Sequence, residues 1–264
     1  MSSADGYFMD DPREAKRLAD KVNPDGWARQ YVVPLLDSAT AILDVGCGPG
    51  VIACAVGRSK PSVSMTGIDL STARIKTMGA NLPPNVRLQQ GDACQLLFAD
   101  DSFDLVYCRF LLEYLKNKQD AVNEMVRVCR PGGKVLLQDL DGQLTWHFPE
   151  DEELQSPITR VLTALAKKGF DPFVGRKLFS MAKAANLVDV HVKLESYHLF
   201  AGEIDRDNLG YWETKLDIAM PMAAEVLGGE GAALALKERF LGYLRRSDTL
   251  TYSVVFTVLG TKPG

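Results

Sequence analysis

The sequence predicts an α/β fold: a doubly wound, mostly parallel sheet with helices on both faces. Three observations carry this. Short apolar runs alternate with helical stretches between residues 39 and 141, the order that builds βαβ units. The first run, "AILDV", leads directly into a glycine-rich turn, "GCGPG", and then into a helix-like stretch. Later in the chain, "VDVHVKLESYHLF" alternates cleanly, as a half-buried strand does,.

Residues 10–38 read as two N-terminal helices, with Pro12 and Pro24 suited to first turns,. "AILDV" is the first strand, and a helix opens right after the glycines. "VSMTGIDL" is the second strand, and Ser71 is the N-cap of the helix "STARIKTMGANL",. "NVRLQQGD" and "FDLVYCRF" are the third and fourth strands. The next helix runs to Val128, with Val122, Met125, Val126 and Cys129 on one stripe,. "RPGGKVLLQDL" is a turn and the fifth strand. Helices follow over 150–169 and 175–186, then the alternating sixth strand. Residues 203–246 are helical, with Leu236, Phe240, Tyr243 and Leu244 as a stripe, and "LTYSVVFTVLG" is the last strand. We expect one domain over 1–264: a sheet core over 39–200 and 250–262, and a helical cap or insertion over 203–246. So long a connection between two strands is unusual, which is why a lid or a dimer surface is expected there.

The 264 residues are 46% hydrophobic and 24% charged, with a formal net charge of −4. This is the balance of a soluble globular chain and not of a nucleic-acid binder with a basic face. Cys47, Cys54, Cys94, Cys108 and Cys129 show no C-x-x-C spacing, so they read as reduced thiols of a cytoplasmic protein with no metal site. No apolar run reaches transmembrane length, and the polar, acidic start does not read as a signal peptide,.

The glycines of "ILDVGCGPG" need a reason beyond the strand. Each costs backbone entropy and marks a sharp turn or a close approach. Between strand and helix, such a turn points amides at a ligand. Asp69, in "TGIDLS", stands twenty-three residues after Gly46 at the end of the next strand, where an acid bonds ribose hydroxyls. Together they predict a nucleoside site. The dinucleotide pattern G-x-G-x-x-G is broken by Val51, which disfavours a nicotinamide-dependent oxidoreductase.

The spacing Asp44, Gly46, Gly48, Gly50 in "LDVGCGPG" resembles the first motif of class I S-adenosylmethionine-dependent methyltransferases. "GIDLS", "GDACQLLFADDSFDLVYC" and "RVCRPGGKVLLQD" resemble the motifs that follow it, over about residues 38–140. Within the class the chain looks most like small-molecule enzymes of the ubiquinone/menaquinone-biosynthesis type. The resemblance implies a Rossmann-like seven-stranded sheet with an antiparallel last strand. It implies S-adenosyl-L-methionine as cofactor and S-adenosyl-L-homocysteine as product. It implies that Gly46, Cys47 and Gly48 pack on the methionine and ribose portions and that Asp44 receives the amino group. Asp69 would accept the ribose hydroxyls, Leu70 would cover the adenine, and Asp92 and Ala93 would hold the adenine amino group and ring. Cys108 and Arg109 would lie beside the methionine end. Asp92 can also simply cap a turn, and Arg109 can be a surface side chain.

Methyl transfer needs the acceptor aligned in line with the methyl carbon, and a base only for some acceptors. Glu113 and Tyr114, which read as opening a helix, and His147 are the candidates for such a base; a surface or packing role is the competing reading for the first two and packing for His147. His147 lies in "LTWHFP", which reads as a loop. His191 reads as solvated, His198 as a core or pocket histidine. Tyr31, with Trp27 and Arg29 behind it, is the N-terminal candidate to fold over the cofactor. Tyr211, Trp212, Met220 and Met222 give the insertion an adaptable apolar surface,. The partner expected is therefore a small, partly apolar acceptor, with no nucleic acid, no membrane span and a possible homodimer. The residues after the fourth strand are "CRFL", not the "NPPY" of amino-directed DNA enzymes. A methyltransferase-like binding or regulatory protein without activity is the competing function.

Overall fold

The computed structural model describes residues 23–36, 40–76 and 81–264. The helix expected within 10–22 lies outside the described residues. So do 77–80, the end of the helix expected after Ser71.

Seven strands form one sheet. They are β1 (Ala41–Val45), β2 (Ser64–Asp69), β3 (Val86–Gln90), β4 (Phe103–Arg109), β5 (Cys129–Phe148), β6 (Val188–Ala201) and β7 (Leu250–Thr261). Their order is β3-β2-β1-β4-β5-β7-β6. The pairs from β3 to β5 are parallel, and β7 runs antiparallel to both neighbours. This is the mostly parallel sheet with an antiparallel last strand expected from the sequence. The strand order reverses at β1 and β4, so a crevice opens at their carboxyl ends.

The helices are α1 (Pro24–Trp27), α2 (Val51–Ser59), α3 (Thr72–Lys76), α4 (Lys118–Val128), α5 (Glu152–Lys167), α6 (Leu178–Ala184), α7 (Arg206–Leu227) and α8 (Glu230–Leu244). α1 continues through a π turn and a 3-10 turn to Leu35. The two faces of the central strands are buried in separate cores. Ile42, Met65, Leu105, Tyr107 and Leu136 face α1 and α2. Leu43, Val45, Val106, Cys108 and Leu137 face α4 and α6. Both faces being covered explains why these strands read as apolar runs.

Two elements differ from the sequence reading. β5 does not stop near Asp141 but continues to Phe148. From Lys134 to Phe148 it pairs with β7, with a bulge between Asp141 and Trp146. His147 is thus a strand residue opposite Thr251, not a loop residue. Glu113 and Tyr114 do not open the long helix; they form a 3-10 turn, Leu112–Tyr114, ahead of α4.

The insertion is two helices, α7 and α8, joined at Gly228 and Gly229. Their apolar side packs with Leu154 of α5 in a third core of Trp212, Phe240, Leu241, Tyr243 and Leu244. This core rests on the far end of the sheet. The His147 ring lies 5.1 Å from Tyr243, and His198 lies 5.4 Å from Trp212.

Candidate functional site

Three glycines after β1 take positive φ: Gly46 at 76°, Gly48 at 55° and Gly50 at 83°. A side chain is disfavoured at each, but the surroundings differ. A Cβ on Gly46 would meet Leu111 Cδ1 at 2.8 Å, and one on Gly50 would meet Leu88 Cδ1 at 2.4 Å. A Cβ on Gly48 would meet nothing within 4 Å. So Gly46 and Gly50 are needed for packing, while Gly48 faces open space where a ligand can touch backbone. The amides of Gly46 and Cys47 donate to Ile68 O at 2.8 Å, which fixes the turn against β2.

Two buried carboxylates flank this turn. Asp69, ending β2, accepts from Gly48 N at 2.8 Å and from Ser71 N at 2.9 Å. Asp44, in β1, accepts from the Tyr107 hydroxyl at 3.1 Å. Burial lifts the Asp44 carboxyl to about 7, with the Asp69 charge adding to the rise and Tyr107 and Arg109 opposing it. A buried acid held that high gains from a cation beside it. The loop therefore presents two carboxylates and an open backbone in one place. A ligand with a positive group and vicinal hydroxyls suits that set.

Leu70 is 51% exposed at the mouth of the loop, free to cover a flat ring. Asp92 Oδ1 accepts from Cys94 N at 2.8 Å. It therefore caps its own turn, as one of the two sequence readings has it. Ala93 is buried beside it.

Arg109 closes the other side. Its guanidinium lies 3.9 Å over the Phe110 ring and within 5.9 Å of the Trp27 and Tyr197 rings. It is thus boxed by aromatic faces rather than lying on the surface. Trp27 Nε1 donates to Gln138 Oε1 at 2.6 Å, and the Trp27 ring sits 5.5 Å from Tyr107. Tyr31 stacks near Trp27 at 5.4 Å, but its hydroxyl donates to Glu195 Oε2 on β6. Burial, then Glu195, raise that hydroxyl to about 12, so it stays a donor committed to β6.

Several sequence candidates land elsewhere. The Cys108 thiol is fully buried in the core facing α4 and α6, and burial raises it well above the ordinary thiol value. It can offer a ligand only backbone. Glu113 is buried as well. Its amide donates to Asp139 Oδ2 at 3.2 Å, and burial, then Glu113, hold the Asp139 carboxyl well above the usual carboxylate range. This carboxylate pair pins the turn after β4 from within. Tyr114 packs on Phe170 at 5.3 Å. His147 is too far along the sheet to serve as a base beside Arg109. Arg109 pairs with Gln138, which faces Thr257, whereas His147 faces Thr251. Six residues along β7 span about 20 Å. His147 Nδ1 instead lies 3.1 Å from Thr251 Oγ1, and burial lowers the ring to about 4, so it is neutral. His191 is exposed, and His198 is buried against Ser253 at 2.7 Å, as expected.

The sequence reading missed Tyr107, Phe110, Gln138, Asp139 and Tyr197. Tyr107 carried a signal: a lone hydroxyl in an otherwise apolar buried strand needs a partner. Phe110, with φ at 53°, carried none.

The fold and the ordered loop define a class of protein. Residues 43–137 match the family model described as a methyltransferase domain. Phosphatidylethanolamine N-methyltransferase of Cereibacter sphaeroides is 35% identical over 131 residues, covering 48% of this chain and 58% of that protein. Demethylmenaquinone methyltransferase of Staphylococcus aureus strain JH9 is 34% identical over 148 residues, covering 54% and 56%. A solved Haemonchus contortus phosphoethanolamine N-methyltransferase, in complex with phosphomonomethylethanolamine and S-adenosylhomocysteine, has a TM-score of 0.54 at 18% identity, covering 94% of this chain and 52% of that one. The chain spans about half the length of the curated relatives it matches. Over residues 43–137 the chain thus matches a methyltransferase domain, and demethylmenaquinone methyltransferases are among the proteins it is similar to.

Proposed function

We propose that this chain transfers a methyl group from S-adenosylmethionine to a small, partly apolar metabolite. One observation carries the reading. Asp44 and Asp69, both buried, flank the one glycine of the turn whose missing Cβ faces open space. In this reading Asp69 takes the ribose hydroxyls, Asp44 takes the amino group, and Gly46, Cys47 and Gly48 supply the backbone cradle. Leu70, Asp92 and Ala93 hold the adenine, and Arg109 borders the methionine end. The cofactor supplies the methyl group at a sulfonium that needs no activation.

The remaining work falls to the chain. It has to hold the acceptor in line and keep water out. Arg109 and its aromatic box narrow the mouth on the α1 side. α5, α7 and α8 close the far end as a cap within a single domain. We assign no base, since Glu113 and Asp139 are buried and His147 is remote. Acceptors that need none, such as amines or ionised phenols, fit best. No helix among the described residues is long and apolar enough to cross a membrane. A cytoplasmic location, no nucleic-acid partner and a homodimer through the α7–α8 surface belong to the same proposal.

Calorimetry with S-adenosylhomocysteine and NAD tests it. Micromolar binding of the first and none of the second is expected; tighter binding of NAD overturns the reading.

A further inference from the structure

α5, α7 and α8 do not pack solidly against one another. They leave between them a half-open pocket of about 150 Å³. Leu162, Leu165, Phe170, Trp212, Met222 and Phe240 are among its walls. Space of this volume with such walls accepts a benzene-sized ring. Two lysines reach the wall, Lys215 and Lys237. Lys237 is paired with Asp217, and Lys215 Nζ lies 5.1 Å over the Trp212 ring. Both cations are committed, so a buried anion would lack a free counter-charge.

Thr145 adds a hydroxyl to the otherwise largely apolar lining. Thr145 lines the chamber, is 5% exposed, and its Oγ1 has no hydrogen-bond partner among the described residues. A buried hydroxyl left unpaired costs free energy and is uncommon in a settled core. It sits in the stretch where β5 bulges between Asp141 and Trp146. From Phe170 a run of contacts leads toward the glycine turn. Phe170 packs on Tyr114, and Leu111, one residue before that 3-10 turn, abuts Gly46.

We propose that this chamber seats the apolar end of the acceptor: a neutral ring of about benzene size with one hydrogen-bonding oxygen, which bonds Thr145. The reactive end then reaches past Phe170 and Tyr114 toward the glycine turn. Naming the occupant as the acceptor rests on the methyltransferase reading, but the binding itself does not. The chamber selects against acceptors whose inner end is charged, such as a phosphate ester.

Titration of the full chain with p-cresol and with toluene, followed by ligand-observed NMR, tests the site. The wild type is expected to bind both, p-cresol roughly two- to tenfold more tightly, the worth of one neutral hydrogen bond. Thr145→Val should remove that preference and leave toluene unchanged. Ala219→Phe, on the chamber wall, should abolish both. Should Ala219→Phe fail to fold, Met222→Ala enlarges the chamber and should improve naphthol binding at least threefold. No binding by the wild type, a preference untouched by Thr145→Val, or no gain in Met222→Ala overturns the proposal. S-adenosylhomocysteine is titrated in parallel. Its failure to bind overturns the methyltransferase reading, while the cresol result decides the chamber on its own.

Discussion

The Tyr107 hydroxyl donates to Asp44 Oδ2 across 3.1 Å, from the neighbouring parallel strand in register. It is a single neutral donor on a carboxylate that burial has lifted to about 7. That balance makes Asp44 the group whose charge a cationic ligand would switch on.

The first prediction follows from its sign. The folded-state value lies above the ordinary 3.8. Its contribution to the stability of the ligand-free protein is therefore full below 3.8 and is lost as pH rises through about 7,. Ligand binding runs the other way in the proposed function, where the amino group of S-adenosylhomocysteine pairs with the ionised form. Affinity should rise about tenfold from pH 6 to pH 8. Asp44→Asn should flatten that profile, and Tyr107→Phe should move its midpoint upward. A flat wild-type profile in calorimetry would remove Asp44 from the ligand's amino group.

The spacing of Asp69 after Gly46 reads as that of a ribose acceptor, and the structure gives Asp69 a further task not visible in the sequence. Its bonds to the Gly48 and Ser71 amides also hold the turn. Charge-assisted bonds are worth about 1.5–3 kcal/mol each. Asp69→Ala should weaken S-adenosylhomocysteine at least tenfold and also lower the melting temperature of the ligand-free protein. Lost affinity with no change in melting would mean the turn holds itself.

Local sequence told much about the sheet and less about the site's walls. The central strands are apolar runs because both faces are buried, and the glycines follow from steep backbone geometry. Those signals are local. Cys108 and Arg109 were read alike as neighbours of the ligand, yet one faces the core and the other the crevice, because successive strand residues point to opposite faces. Counting parity from Asp44's partner would have separated them. His147 was misplaced because nothing local marks a strand that continues through a bulge. The pairing of Tyr31 with Glu195 is a contact between segments more than 160 residues apart. No spacing rule reaches that far.

The glycines can be told apart by one methyl group. Gly46→Ala meets Leu111, and Gly48→Ala meets open space, though both carry positive φ. The backbone cost of a left-handed residue, about 1–2 kcal/mol, is common to both. Gly46→Ala should therefore lose more stability in urea, and Gly48→Ala should lose more ligand affinity than stability. The double variant Gly46→Ala, Leu111→Ala should recover part of the packing strain. Equal losses in both single variants would show that the open side of Gly48 does not face the ligand.

Trp27 and Tyr31 separate a structural anchor from a ligand contact. Trp27 reaches Gln138 through a buried 2.6 Å bond and sits on Tyr107, which holds Asp44. Trp27→Phe keeps a ring but leaves the Gln138 carbonyl without its donor, at a cost of about 1–3 kcal/mol. The Tyr31 hydroxyl is instead spent on Glu195, four strands away from β1 along the sheet order β1-β4-β5-β7-β6. Tyr31→Phe removes that bond and the hydroxyl's weaker interactions with Gln138 and Thr257. Trp27→Phe should therefore lower the melting temperature and weaken S-adenosylhomocysteine modestly, because Tyr107 and Asp44 lose their backing. Tyr31→Phe should leave the dissociation constant within twofold. A tenfold loss in Tyr31→Phe would put its hydroxyl on the ligand and require it to leave Glu195 when the ligand binds.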